Sequence, residues 1–223
     1  MKVLTYEKVI KPGATRYLIK KNKGWYRLIW LLNIPSFYFE RNDILNKIVA
    51  IVGMCGSGKS VATEILENKL GYKKVYFGGV TMEKLNESHL KITPENEKMM
   101  REKLRREYGN GAFAKILLPR IKELSASNNV VLDGLYSWEE YTLLKEKLDN
   151  IILVAIVVDK DIRYDRLSKR KIRPLTKEEA IKRDISEIEN IAKAGPIAYA
   201  DYYVINNDDI EKYEERLLEI VGD

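Results

Sequence analysis

Cysteine and histidine are almost absent from the chain, which has one of each among its 223 residues, Cys55 and His89. A single cysteine excludes an internal disulfide bond and fits a reducing compartment, so we expect a cytoplasmic protein. Zinc sites in proteins are built mainly from cysteine and histidine side chains, so this composition also argues against a zinc site.

A long apolar run is missing as well. The longest uncharged stretch, residues 28–39, contains Asn33 and Pro35 and is too short to span a bilayer. No cleavable signal pattern precedes it. We therefore expect no transmembrane segment.

Acidic residues are scarce in residues 1–46, which hold nine Lys or Arg against three Asp or Glu. The rest of the chain has 30 of each, so the net charge of +6 belongs to this segment. Two runs within it, 16–20 and 25–30, flank Gly24 and predict a β-hairpin. Cations mixed with aromatic rings suit single-stranded nucleic acid, a membrane surface, or packing on the rest of the chain with a role in forming a homodimer. We predict a basic N-terminal extension over 1–46 and leave its partner open.

From residue 47 onward, apolar runs of strand length alternate with segments of helical periodicity. The predicted strands are 47–52, 73–77, 129–133, 150–158 and 200–205. Such alternation is typical of an α/β fold, in which a parallel sheet is covered by helices on both faces. We therefore predict a three-layer domain with a five-stranded parallel sheet over 47–223. Ligands of such sheets bind at the carboxyl ends of the strands.

A phosphate-binding loop follows the first of these strands. Residues 53–60, Gly-Met-Cys-Gly-Ser-Gly-Lys-Ser, fill every fixed position of the pattern G-x-x-x-x-G-K-[ST]. The glycines let successive backbone N–H groups point into one hollow, at the positive end of the next helix. Lys59 is placed to bridge the β- and γ-phosphates of ATP or GTP, and the Ser60 hydroxyl to ligate Mg²⁺. The residues expected against the nucleotide are Gly53, Cys55, Gly56, Ser57, Gly58, Lys59, Ser60 and Val61.

Asp133 ends the predicted strand 129–133. A carboxylate at a strand tip can reach the Mg²⁺ shell of a bound nucleotide, as the second motif of such proteins requires. The alternative is that Asp133 caps the turn at Gly134.

Basic residues cluster after the fourth predicted strand. Arg163, Arg166 and Arg170 fall at i, i+3 and i+7, so a helix over 161–171 would bring them to one face. Arg173 and Arg183 follow. Cations of this kind balance charge on a transferring phosphoryl group, which makes the first three candidate catalytic residues. A solvated helix face is the alternative.

Taken together, these segments resemble the adenylate-kinase-related branch of the P-loop nucleoside monophosphate kinases. The segments that carry the resemblance are 53–60, 103–111, 131–135, 162–167 and 200–207. The stretch from the basic helix to Asn207 is also similar to dephospho-coenzyme A kinase. The resemblance implies ATP as donor, Mg²⁺, a nucleotide-like acceptor, and a helical lid at about 163–183. It places Asn206 and Asn207 beside the donor adenine.

Two departures from that family concern the acceptor. Relatives usually carry Asp, and often Arg, after the second strand, where this chain has 78–81, Gly-Gly-Val-Thr. Relatives also often carry Arg after the Asp-Gly turn, where Tyr136 stands. These losses favour a less anionic acceptor, such as a nucleoside or a modified cofactor. The residues expected to line the acceptor site are Gly79, Tyr108, Tyr136, Arg173 and Arg183.

The sequence thus predicts an ATP-dependent phosphotransferase that moves the γ-phosphoryl group to a nucleotide-like small molecule. One alternative keeps the reaction and makes dephospho-coenzyme A the acceptor. Another makes the chain an NTP-dependent nucleic-acid-binding switch that uses residues 1–46.

Overall fold

In the computed structural model, the described residues are the strands Thr5–Lys11, Ala14–Lys21 and Gly24–Ile29 together with residues 46–222. The chain divides into two compact units, Met1–Leu45 and Asn46–Asp223. Each unit has its own β-sheet.

The sheet of the first unit is three-stranded and antiparallel. Its strands are Thr5–Lys11 (β1), Ala14–Lys21 (β2) and Gly24–Ile29 (β3). Lys21 pairs with Gly24, so β2 and β3 form the hairpin that the sequence predicts. β1 pairs with β2 and adds a strand that the sequence analysis missed. Trp30, at the end of the predicted hairpin, lies outside the described residues.

The sheet of the second unit is five-stranded. Its strands are Ile48–Val52 (β4), Lys73–Tyr76 (β5), Val130–Asp133 (β6), Ile151–Val157 (β7) and Tyr202–Ile205 (β8). All neighbours are parallel, in the order β5-β6-β4-β7-β8, which confirms the predicted sheet. β4 lies at the centre and all its residues are buried, as an uninterrupted apolar strand requires. The loop after β4 therefore opens at the middle of the carboxyl edge.

The helices of the second unit account for most of its length. They are Lys59–Leu70 (α1), Phe77–Glu87 (α2), Pro94–Tyr108 (α3), Ala112–Ser125 (α4), Trp138–Lys147 (α5), Lys160–Ser168 (α6), Lys177–Ile191 (α7), Ala194–Ala198 (α8) and Ile210–Val221 (α9). Within the described residues, no helix has the length and apolar character needed to cross a membrane.

Alternate residues of β4 point to opposite faces of the sheet and enter two different cores. Ile48 and Ala50 pack in a core built with helices α2 to α5. Val49 and Ile51 pack in a second core, built with α1 and α9. The three-layer α/β architecture predicted from the sequence is therefore confirmed.

Helix α2 was not predicted. The second predicted strand ends at residue 77, before Gly78 and Gly79, but these glycines lie in the first turn of α2. The ring of Tyr76 folds back over this turn, and a Cβ at Gly78 would stand 2.3 Å from the Tyr76 hydroxyl oxygen. Gly78 permits this close approach of an exposed ring, and the helix continues through both glycines.

The predicted basic helix ends earlier than expected. α6 stops at Ser168, so Arg170 lies beyond it, and the prediction that Arg170 shares a helical face with Arg163 and Arg166 is wrong. The chain turns back after the helix, and the Leu175 N–H donates to the Leu167 carbonyl at 3.1 Å. This return accounts for the early helix end.

Candidate functional site

The loop between β4 and α1 has the backbone that phosphate binding requires. Gly53, Gly56 and Gly58 have φ of 148°, 84° and 94°, in the left-handed region that favours glycine. A Cβ at Gly53 would stand 2.6 Å from the Ile156 carbonyl oxygen. The Ser57 hydroxyl is buried without a hydrogen-bond partner in the described part of the chain. A buried polar atom of this kind fits a loop that receives a polar ligand.

Three side chains from distant elements hold the carbonyls of this loop. The Arg163 guanidinium donates to the Cys55 carbonyl at 2.9 Å. The Asn206 amide donates to the Ser57 carbonyl at 2.9 Å, and the Tyr213 hydroxyl to the Gly58 carbonyl at 3.1 Å. Fixing these carbonyls against the protein body leaves the loop N–H groups available to an anion.

The residues predicted to contact adenine, Asn206 and Asn207, thus make hydrogen bonds within the protein. Asn206 is buried and its amide is engaged with the phosphate loop. The side-chain carbonyl of Asn207 accepts from the Asp159 N–H at 2.9 Å. A contact between these residues and a donor base stays a prediction. Tyr213 was missed because its role depends on the packing of α9.

Arg163 lies beneath the loop. Its guanidinium is 7 % exposed and binds both carboxylate oxygens of Asp184, at 2.6 and 3.2 Å. The Tyr164 hydroxyl donates to the same carboxylate at 3.1 Å. These contacts favour a positioning role for Arg163. Of the other two candidates, Arg166 is half-buried, and Arg170 is exposed with a guanidinium nitrogen 3.9 Å from the Cys55 sulfur.

Lys59 begins α1, and its ammonium donates to the Met54 carbonyl at 2.9 Å. Burial lowers the pKa of Lys59 to about 7, and the positive charge of Lys193 acts in the same direction. An anion bound beside Lys59 would stabilise the charged ammonium form and raise its pKa.

Asp133 and Ser60 are the candidate metal ligands. One Asp133 carboxylate oxygen lies 3.3 Å from the Lys74 ammonium and accepts from the Thr63 hydroxyl at 3.5 Å. Ser60 is exposed at the start of α1. Among the described residues, no group of three or more His, Cys, Asp or Glu could hold a metal ion. A pair of protein oxygens supplemented by phosphates and water is the usual arrangement for Mg²⁺, so these residues fit it.

A cleft of about 860 Å³ lies between the turn after β6 and helices α2, α3 and α7. Its basic lining residues are Lys98, Arg101, Arg105, Arg106, Arg173 and Arg183, and its acidic ones are Glu97, Glu102 and Glu187. The predicted acceptor residues Tyr136, Arg173 and Arg183 line this cleft, whereas Gly79 and Tyr108 do not. The α3 arginines were missed because a charged helix face is usually just a solvated surface.

A buried charge cluster connects the cleft to the phosphate loop. The Lys193 side chain, 3 % exposed, pairs with Glu187 and lies 4.7 Å from the centre of the Tyr136 ring. Arg183 donates to the other oxygen of Glu187 at 3.0 Å. Both Lys193 and Glu187 act electrostatically on Lys59. Lys193 has no signal in the sequence that separates it from the many surface lysines.

Solved structures share this fold at low sequence identity. TT1252 from Thermus thermophilus superposes with a TM-score of 0.53 at 17 % identity, covering 79 % of this chain and 96 % of that one. The shikimate kinase from Bacteroides thetaiotaomicron gives 0.51 at 17 % identity, covering 79 % and 97 %. Likeness at this level shows a P-loop kinase fold and does not single out the adenylate-kinase branch.

Sequence relatives are closer. Residues 49–190 match the family described as the AAA domain. A UPF0200 protein from Sulfurisphaera tokodaii is 36 % identical over 181 residues, which cover 79 % of this chain and 97 % of the relative. A UPF0200 protein from Thermococcus onnurineus is 34 % identical over 179 residues, covering 78 % and 96 %. The chain therefore belongs to the UPF0200 family, with an AAA domain of P-loop kinase fold over residues 49–190.

Proposed function

We propose that this protein is an ATP-dependent phosphotransferase that moves the γ-phosphoryl group of ATP to a nucleotide-like small molecule. The observation that carries the proposal is the junction of two sites. The phosphate loop, with Lys59, adjoins a large cationic cleft through the Lys193–Glu187 pair. A second cleft next to the phosphate loop provides a place for an acceptor of the γ-phosphoryl group.

In this proposal, the protein contributes to catalysis by positioning the two substrates and by neutralising the charge of the phosphates. An oxygen of the acceptor attacks the γ-phosphorus while the bond from that phosphorus to the bridging oxygen breaks, and ADP leaves with the electron pair. A hydroxyl acceptor releases its proton to solvent. The loop N–H groups and the Lys59 ammonium stabilise the charge that shifts toward ADP. Mg²⁺, held by Ser60 and Asp133, would neutralise phosphate charge.

The related folds support this class of reaction. The solved structures that superpose on the chain include a shikimate kinase and a sugar kinase from Janibacter, and both names denote small-molecule phosphotransferases. The two names denote different acceptors. The shared fold therefore supports the reaction class, and the identity of the acceptor must be inferred from the residues of the cleft. Dephospho-coenzyme A is an alternative acceptor within the same reaction.

Loss of the Lys59 ammonium tests the proposal. ADP formation is measured with Mg-ATP or Mg-GTP and a panel of nucleosides, nucleoside monophosphates and dephospho-coenzyme A. With the best acceptor, we expect Lys59→Ala to lower turnover by about 10²-fold or more, as for removal of one preorganised donor. Lys122→Ala, a change on the exposed face of α4, is the matched control and keeps wild-type turnover. Undiminished turnover in Lys59→Ala would contradict the proposal.

A further inference from the structure

We propose that the antiparallel sheet of the first unit binds single-stranded nucleic acid, with bases stacked on Tyr6, Tyr17 and Tyr26. The inference is independent of the proposed phosphotransferase reaction, because the phosphate loop and the cleft are built from residues of the second unit. It commits the basic N-terminal segment to one of the three partners that its composition allows.

The pairing register of β1, β2 and β3 brings three tyrosines to one face of the sheet. Tyr6 pairs with Ile19, and Ile19 pairs with Tyr26, so these three residues form one row across the strands. Tyr17 lies two residues from Ile19 on the middle strand, and residues two apart along a strand share a face. Each strand therefore contributes one tyrosine to the same face, which we call the tyrosine face.

The three tyrosine positions form a compact triangle. Tyr17 is the diagonal neighbour of both Tyr6 and Tyr26, and diagonal neighbours in an antiparallel sheet lie about 7–8 Å apart. Tyr6 and Tyr26 are two strands apart, which corresponds to roughly 10 Å. Aromatic residues grouped on one face of a sheet form the stacking platform of several modules that bind single-stranded RNA or DNA. A platform of this size suits two or three bases.

The charge of the sheet matches a polyanion. Its three strands carry six basic residues and one acidic residue, Glu7. On the tyrosine face, Lys8 is the cross-strand partner of Tyr17, and Lys21 lies further along the middle strand. Glu7 belongs to the opposite face, because successive residues of a strand alternate between the two faces. Cations beside aromatic residues supply the phosphate contacts that accompany base stacking.

The grouped tyrosines favour nucleic acid over an anionic membrane. Basic residues alone would serve acidic lipids equally well, since a polybasic segment is attracted to their surface potential. A tyrosine ring adds a partner for the flat π-face that every base presents. Among the residues of the three strands, the opposite face holds one aromatic residue, Trp25, whose cross-strand partner is Lys20. The triangle of tyrosines thus identifies the face that receives the bases.

Binding is measured on the full-length protein, without ATP, by fluorescence anisotropy of labelled oligo(U) and oligo(dT) of about 12 nucleotides. We expect saturable binding that weakens as the salt concentration rises, and the two oligonucleotides separate RNA from DNA. Tyr17→Ala should raise Kd by about 5- to 100-fold, because one stacked base is lost, whereas Tyr17→Phe keeps the ring and stays within about 2-fold of the wild type. Trp25→Ala removes the aromatic residue of the opposite face and is the matched control, with Kd within about 2-fold of the wild type.

Tyr6→Ala, on an edge strand, carries the test if Tyr17→Ala does not fold. Lys8→Gln should lower the slope of log Kd against log salt by about 0.7, as loss of one phosphate contact predicts. The inference is overturned if oligonucleotides do not bind at low salt, if both tyrosine variants keep the wild-type Kd, or if Trp25→Ala weakens binding as much as they do. Binding to phosphatidylserine vesicles without binding to either oligonucleotide would assign the sheet to membranes instead.

Discussion

Lys59 is the residue whose protonation the nucleotide must change. Burial lowers its pKa to about 7, so we expect this side chain to be mostly neutral in the free protein near pH 8. A triphosphate beside the ammonium favours the charged form and raises the pKa. The side chain therefore takes up a proton when ATP binds above pH 7, and takes up almost none below pH 6, where it is already charged.

This coupling can be measured by calorimetry. Mg-ATP is titrated into the protein at pH 8 in buffers of different ionisation enthalpy, and the slope of the heat gives the protons bound. We expect an uptake of roughly one proton in the wild type, none in Lys59→Met, and the wild-type value in Lys122→Ala. Binding at pH 8 without proton uptake would show that Lys59 is already charged in the free protein.

Of the residues that form the candidate site, those of the phosphate loop can be identified from the sequence, but only some of the residues around the loop can. Residues 53–60 are readable because the glycines and Lys59 must stand at fixed spacing for the chemistry to work. Lys193 and Tyr213 contribute from positions far along the chain, where only the packing of α7 and α9 brings them near the loop. Neither has a local pattern that distinguishes it from a surface residue.

Helices α6 and α7 are joined under the phosphate loop by one buried ion pair. Asp184 on α7 binds Arg163 on α6, and Arg163 holds the Cys55 carbonyl. Removing one partner of a buried pair leaves an uncompensated charge, which costs about 3–5 kcal/mol. We expect Asp184→Asn to lower the free energy of unfolding by about this amount and to weaken ATP binding, because the loop loses a support.

The matched control is Asp165→Asn on α6. Asp165 pairs with Lys169 at the surface, and both side chains are more than half exposed. An exposed pair contributes less than about 1 kcal/mol, so this variant should unfold at nearly the wild-type urea concentration. If both variants unfold together, the Arg163–Asp184 pair does not hold the loop.

At the element scale, predictions succeeded where the signal was local. Ser137 and Thr176, each followed three residues later by Glu, form capping boxes at the starts of α5 and α7, a signal contained in a short window of sequence. α2 was missed because glycine destabilises a helix interior, so two glycines at 78–79 argue against a helix there. The end of α6 was misplaced because Leu175 returns to Leu167 across a turn that no short window of sequence reveals.

The whole molecule consists of two units, and its sequence relatives match mainly the larger one. The UPF0200 relative from Sulfurisphaera tokodaii is covered over 97 % of its own length by a match to 79 % of this chain. A domain of about the length of 46–223 thus accounts for nearly all of that relative. The nucleic-acid, membrane and dimerisation roles suggested for the basic first unit stay predictions.

Deleting residues 1–45 separates the two units experimentally. We expect the remaining protein to keep the ATP-dependent turnover of the full chain within about 2-fold, because the phosphate loop and the cleft are built from residues of the second unit. Retention on single-stranded polynucleotide, measured at low and high salt, shows whether the nine basic residues of 1–46 bind nucleic acid. Loss of turnover in a well-folded truncated protein would assign the first unit a part in catalysis.

The positions along the chain of the residues that support the phosphate loop also affect when the site can form during synthesis. The phosphate loop is synthesised well before the residues that hold its carbonyls, Asn206 and Tyr213, which lie 149 and 155 residues later. The central strand β4 likewise has no neighbouring strand to pair with until β6 and β7 have been synthesised. A nascent chain therefore lacks two supports of the phosphate loop until Asn206 and Tyr213 have been synthesised, and a chain that stops before α9 lacks the contact of Tyr213 with the Gly58 carbonyl.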